Sequence, residues 1–229
     1  MEARVPSVPQ VYTFENKGDW YHETVAENYE SRRSKQHWWH EETKILEKFL
    51  ALIPQGTKVL DVPLGTARFL PLYIQNKMSM TGLDISSDML DQAKILRGNS
   101  LNGCQLDIGD ATDLPYADNY FDLVVCFRFL DGQVSYRDTI KAIVGFCRVS
   151  RKYLILELGS VPQKEDDSVL TLENLKKDLP ISSKLSEKER QKMLESNGLK
   201  ILQSESACHE DGTPHMNIYL CEKLIGNSQ

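Results

Sequence analysis

Asp61, Asp84 and Asp110 are the first residues from which chemistry can be read, because each acid stands at or just beyond the end of a strand-like run and leads into a turn. Asp61 sits in Lys58-Val-Leu-Asp-Val-Pro-Leu-Gly-Thr-Ala-Arg-Phe-Leu70, which reads as a buried strand, a tight turn and a helix. Asp84 follows 23 positions later, in Gly82-Leu-Asp-Ile-Ser86, after the next crossover. A strand, turn and helix in this order aim free helix amides at a ligand, and an acid after the next strand suits two ribose hydroxyls. Gly65 lets the backbone pass close to such a ligand, and Thr66 and Ala67 are expected to open the helix. One nucleoside-containing ligand is the chemistry these spacings favour.

The elements that must hold these acids alternate along the chain. Residues 21–53 read as one or two helices. Then come Lys58–Val62 as strand, Ala67–Gln75 as helix, Met80–Ile85 as strand, Asp88–Arg97 as helix and Gln105–Ile108 as strand. Phe121–Phe129 follows as strand, Ser135–Cys147 as helix and Tyr153–Leu158 as strand. Such alternation argues for a parallel sheet covered by helices on both faces, and the continuous apolar runs Val59–Val62 and Leu123–Cys126 fit strands buried on both sides. Residues 159–185 are polar and proline-bearing, a surface excursion with room for one short helix. Ser186-Glu-Lys-Glu189 is a capping-box pattern, and its helix stops at Asn197-Gly198. Leu199–Ser204 and Met216–Glu222 flank an Asp211-Gly-Thr-Pro turn and read as an antiparallel hairpin. The expected α/β fold is a seven-stranded, mostly parallel sheet ending in that hairpin. A nicotinamide dehydrogenase would normally add a second domain.

With 229 residues, 41% hydrophobic and 26% charged, the chain suits one globular domain. A net charge of −6 disfavours a broad phosphate-backbone footprint, so no nucleic-acid partner is expected. No run approaches a membrane span and the amino terminus lacks an apolar signal core, so a cytoplasmic protein without membrane association is expected. The five cysteines fit small buried hydrophobes in a reducing compartment.

Four ordered motifs carry a family resemblance: Leu60–Phe69, Gly82–Leu90, Gly109-Asp-Ala-Thr-Asp-Leu-Pro-Tyr-Ala-Asp-Asn-Tyr-Phe-Asp-Leu-Val-Val125 and Cys147–Leu156. Over residues 20–224 the chain resembles the class I S-adenosylmethionine-dependent methyltransferases, within them the ubiquinone/menaquinone-type small-molecule branch. The resemblance implies a Rossmann-like core and S-adenosylmethionine as cofactor. It also implies that Asp61 lies beneath the methionine part, that Asp84 takes the ribose, and that Ile85 and Met89 pack on the adenine. Asp110 and the Ala111 amide would read the adenine edge, and Phe127 and Arg128 would line the sulfonium region. In related enzymes a tyrosine in an Ala-x-x-Tyr context, here Tyr29, closes over the cofactor, and a nearby arginine, here Arg33, meets its carboxylate. The family's loop carries three glycines, whereas Pro63 and Ala67 stand at the first and third here. The Asp/Asn-Pro-Pro-aromatic motif of amino-group enzymes acting on adenine or glutamine is replaced by Cys126-Phe-Arg-Phe129, which disfavours base methylation.

Methyl transfer from a sulfonium needs alignment and exclusion of water, and a base only where the acceptor must shed a proton. The expected acceptor is a small molecule methylated on oxygen or nitrogen. Its surface must come from outside the sheet, with residues 1–53 as a helical lid segment and 54–229 as the core. Trp20, Tyr21, Tyr29, Arg32, Arg33, His37, Trp38, Trp39, His40 and Glu42 can form an aromatic lid or cage, or pack the helix on the sheet. His37 and His40 are the candidate bases. The turn Cys208–His215 and the excursion 159–185 are two further walls; Cys208, His209, Asp211 and His215 have no recognised metal-ligand spacing, so no metal is expected. A monomer or homodimer is expected. Two other readings stay open: a lyase or cyclase that uses the sulfonium without methyl transfer, and a non-catalytic binding partner.

Overall fold

A computed structural model describes residues 21, 23–130, 134–159 and 185–224. Trp20 and any helix within 160–184 lie outside the described residues. The seven strands are β1 (Lys58–Asp61), β2 (Ser79–Asp84), β3 (Gln105–Ile108), β4 (Phe121–Leu130), β5 (Ser150–Gly159), β6 (Leu199–Cys208) and β7 (Pro214–Lys223). Around them lie α1 (Glu23–Arg33), α2 (His37–Leu50), α3 (Leu70–Gln75), α4 (Ser87–Arg97), α5 (Tyr136–Val149) and α6 (Glu187–Ser196). The strands form one sheet in the order β3-β2-β1-β4-β5-β7-β6. The first five are parallel to one another, and β7 runs antiparallel to both β5 and β6.

Strand alternation divides the core in two. Leu60, Val124, Cys126, Leu154 and Leu156 face the layer containing Ile143 and Phe146 of α5 and Met193 and Leu194 of α6. Val59, Leu123, Val125 and Ile155 face the layer containing Leu46 and Phe49 of α2, Tyr73 of α3 and Leu90 of α4. Because β1 and β4 are covered on both sides, their continuous apolar runs are explained. Helix α2 buries Trp38, Trp39, Glu42, Ile45, Leu46, Phe49 and Leu50, a stripe at helical period.

Helix α6 begins in the expected capping box, with Ser186 and Glu189 exchanging hydrogen bonds. Arg190, also in α6, is buried; its Nη1 donates to the carbonyls of Gly159 at 2.9 Å and Leu185 at 2.5 Å. Its Nε donates to the Tyr219 hydroxyl at 3.0 Å.

Two local expectations are corrected. Helix α3 starts at Leu70, not Ala67, because Gly65 and Ala67 both adopt positive φ (58° and 54°), making a double turn that only ends before Pro71 in the helix's first turn. The hairpin strands are longer than expected, since β6 and β7 pair with each other from Leu199 and Lys223 out to Cys208 and Pro214. Among the described residues no helix is long and apolar enough to cross a membrane.

Candidate active site

The carboxyl ends of β1, β2 and β4 open into one cleft. Its first wall is built largely from main chain. After β1 the Leu64 amide donates to the Leu83 carbonyl at 2.9 Å and the Gly65 amide to Asp84 Oδ2 at 2.8 Å. The other Asp84 oxygen accepts from the Ser86 amide at 2.9 Å, while Ser86 Oγ caps α4 through the Met89 amide. Gly82 permits this approach: a Cβ there would stand 2.5 Å from the Leu64 side chain. Arg97 fixes the outer turn, its Nε donating to the carbonyls of Thr66 and Ala67 at 3.0 and 3.1 Å while its head pairs with Glu30. The amide of Gly65 therefore serves Asp84, where the sequence suggested helix amides facing a ligand.

Tyr29, Asp61, Pro63, Gly65, Thr66, Asp84, Ile85, Met89, Asp110, Ala111, Phe127 and Arg128 all border the cleft. Arg33 does not; its guanidinium carbon lies 5.7 Å from the Tyr29 ring and 5.6 Å from the Trp38 ring, behind them. His37 and His40 do not border it either. They fall on the exposed face of α2, opposite its buried stripe, with His40 Nε2 at 2.8 Å from the Ser34 carbonyl and His37 at 3.9 Å from Glu41. His215, on β7, is a histidine that reaches an arginine of the cleft, Arg128.

The cleft floor is electrostatically unsettled. Burial pushes the Asp61 carboxyl up to about 8, and its Oδ2 has no donor; the Tyr73 hydroxyl beside it lowers the value without a well-formed hydrogen bond. Thr66 Oγ1 is likewise buried without a partner. Burial raises Asp84 only to about 6, because the Ser86, Gly65 and Ile85 amides favour its charged form. Asp110 Oδ1 is held by the Thr112 amide and hydroxyl at 2.8 and 2.9 Å.

A second wall is built from side chains. Arg68 spans from the Glu42 carboxylate to the face of Trp39, 3.8 Å from that ring. Arg128 lies 4.5 Å over Trp38, 3.7 Å from Glu42 Oε1 and 3.0 Å from His215 Nε2. Its backbone has φ 60°, in a stretch where the β4–β5 register slips, and its amide donates to Glu157 Oε2 at 2.7 Å. His215 stacks on Trp38, and burial followed by Arg128 pulls its imidazole down to about 4, so it is neutral at physiological pH. Arg68 and Glu157 were missed in the sequence. An acid inside the apolar run Leu154-Ile-Leu-Glu-Leu158 was the available signal for Glu157. Among the described residues no cluster of three or more His, Cys, Asp or Glu suits a metal ion.

Sheet order, antiparallel hairpin and an acid-lined cleft at the strand ends define a nucleotide-binding α/β protein. A family model described as a methyltransferase domain matches residues 53–213. The chain belongs to that methyltransferase family, the S-adenosylmethionine-dependent class whose motifs it carries. It is 43% identical over 75 residues to a demethylmenaquinone methyltransferase of Staphylococcus epidermidis, covering 31% of each chain. It is 33% identical over 111 residues to the Bacillus pumilus protein of that name, covering 44% of this chain and 46% of that one. The matches thus span between about a third and a half of these curated relatives. Magnesium protoporphyrin IX methyltransferase from Synechocystis PCC 6803, solved with SAH bound, shares the fold at TM-score 0.68 and 18% identity, over 90% of this chain and 97% of that one. The 4+2 cyclase SpnF shares it at TM-score 0.69 and 17% identity, over 98% and 100%.

Proposed function

We propose that this protein transfers the methyl group of S-adenosylmethionine to an oxygen or nitrogen of a small, largely apolar molecule. The observation that carries the reading is Asp61 at the cleft floor, a buried carboxyl whose Oδ2 lacks a hydrogen-bond donor and whose charged form burial disfavours until a cation arrives. The amino acid end of the cofactor brings an ammonium group that suits it, with Thr66 beside it. Asp84 retains lone pairs for ribose hydroxyls after accepting from two amides. Asp110 and the Ala111 amide would read the adenine edge, and Ile85 and Met89 would cover its faces. When bound, the cofactor supplies an electrophilic methyl on a sulfonium.

The chain's own work is to bind, orient and exclude water. Phe127, Phe129 and Val134 supply the apolar side of the cleft, and Tyr21 and Tyr29 its aromatic side. Residues 1–53 would act as lid and acceptor segment over a 54–229 core, supported by a family match that begins at residue 53. The names of the curated relatives support a small-molecule acceptor of quinone type. His37 and His40 remain the bases proposed from sequence only where closure of the lid brings them inward; neither borders the cleft.

Incubation with S-adenosylmethionine and a panel of quinols, phenols and amines, followed by mass spectrometry, tests this reading. An acceptor heavier by one methylene together with S-adenosylhomocysteine supports it. The cofactor consumed into another fragment, or an acceptor rearranged without it, would favour the lyase or cyclase reading that the likeness to SpnF keeps open.

A further inference from the structure

Two carboxyl groups behind the second wall have no part in the chemistry above. Glu42 of α2 and Glu157 of β5 are both fully buried and interact directly, and each keeps one oxygen, Oε1, without a hydrogen-bond donor, that of Glu42 lying 3.7 Å from the Arg128 guanidinium. Their other oxygens are occupied, Glu42 Oε2 by Arg68 and Glu157 Oε2 by the Arg128 amide. Two ionised carboxylates in contact repel strongly inside a protein, whereas one proton between them satisfies both orphaned oxygens. Resting on the cofactor-cleft reading, we propose that Glu42 and Glu157 share a single proton, and that this acid pair positions Arg68 and Arg128 on the cleft wall.

The charges around the pair come from every element packed on it. Tyr29 faces it from α1, with Arg33 behind that ring, Arg68 from the loop after β1, Arg128 from β4, and His215 from β7, with His209 of the β6–β7 turn behind it. Burial and the neighbouring Glu42 charge hold Glu157 well above the usual carboxylate range, outweighing Arg128. Neutral His215 adds no further cation to drive off the proton. The arrangement also answers a backbone need. At φ 60° in a slipped register, the Arg128 amide is bound by a carboxyl of the neighbouring strand. A protonated Glu157 does what an amide would, accepting from Arg128 and donating to Glu42.

Infrared spectra of the ligand-free protein at about pH 9.5, where Asp61 has ionised, test the shared proton. A protonated-carboxyl band that shifts in heavy water and is lost in both Glu157→Gln and Glu42→Gln is expected; a wild-type spectrum without the band overturns the pair. Calorimetry with S-adenosylhomocysteine at pH 7 tests the positioning. Glu157→Gln should stay within about threefold of wild type, while Glu157→Leu loses about tenfold or more by leaving the Arg128 amide unpaired and Glu42 Oε1 without its acid partner. Equal losses in the two variants would overturn the positioning role. Wild type that binds no cofactor would sink the cofactor reading itself, and the infrared band would still decide the pair. Should Glu157→Leu fail to fold, a Glu157→Gln protein weakened tenfold overturns the role by itself.

Discussion

Asp84 and Glu42 are both buried carboxylates at one cleft, and they are held in opposite ways. Asp84 draws its donors from main chain, the amides of Gly65 and Ser86, which arrive with the turns on either side. Glu42 draws on side chains, Arg68 from the loop after β1 and Arg128 from β4, and it faces another acid. Main-chain donors need no side chain to be frozen in place, so the first wall is ready for a ligand before one arrives. The second wall recovers the desolvation cost of its charges only when every partner is present. Function at the first wall is therefore exposed to changes of backbone, and at the second to loss of any one partner.

Removing Arg68 should break the second wall most severely. Arg68→Met leaves Glu42 buried with its nearest cation gone, and urea unfolding should show a loss of about 3–5 kcal/mol. A loss below about 1 kcal/mol would mean that the wall does not depend on this pair. At the first wall, Asp84→Ala should weaken S-adenosylhomocysteine binding about a hundredfold in calorimetry, since two charge-assisted hydrogen bonds to ribose are worth about 3 kcal/mol or more together. Unchanged affinity would move the ribose elsewhere.

Asp61 separates ligand binding from stability through pH. With its carboxyl raised to about 8, cofactor affinity should climb between pH 6.5 and 8, by at most about tenfold per unit, as the charged form becomes available to the ammonium group. Asp61→Asn should flatten that slope, and a slope persisting in the variant refutes the assignment. For the ligand-free protein the sign reverses. A folded value above the ordinary 3.8 means that the folded state holds the proton more tightly. This group's contribution to stability is thus complete below about pH 4 and is lost as pH rises through 8. The smallest effect is expected from Gly82→Ala, whose Cβ must displace the Leu64 side chain. About 1–2 kcal/mol of stability should go, with a matching shift in urea midpoint, and a silent variant would show that the loop has slack.

These two walls also differ in what their residues disclose. Asp61, Gly65, Asp84 and Asp110 are legible because a strand end, a turn and an acid lie within a few residues of each other, and the short-range order carries the geometry. The strands were legible for a similar reason, since burial on both faces leaves an uninterrupted apolar run at Leu123–Cys126. The start of α3 was not, because Ala67 takes a left-handed conformation that its side chain does not advertise. The second wall joins Glu42, Arg68, Arg128, Glu157 and His215 from five separate elements, and nothing local ties them together. Choosing His37 and His40 followed their nearness in sequence to Trp38 and Trp39, but helical period turns them outward and brings Glu42 inward.

Arg190 has one consequence for how this molecule holds together. Its Nη1 grips the carbonyls of Gly159 and Leu185 together, so the chain leaves the sheet and returns to it at a single guanidinium. The carboxyl end of β5 and the approach to α6 are thereby pinned at one point. Loss of that one side chain would release both ends at once, since each gives its carbonyl to the same nitrogen.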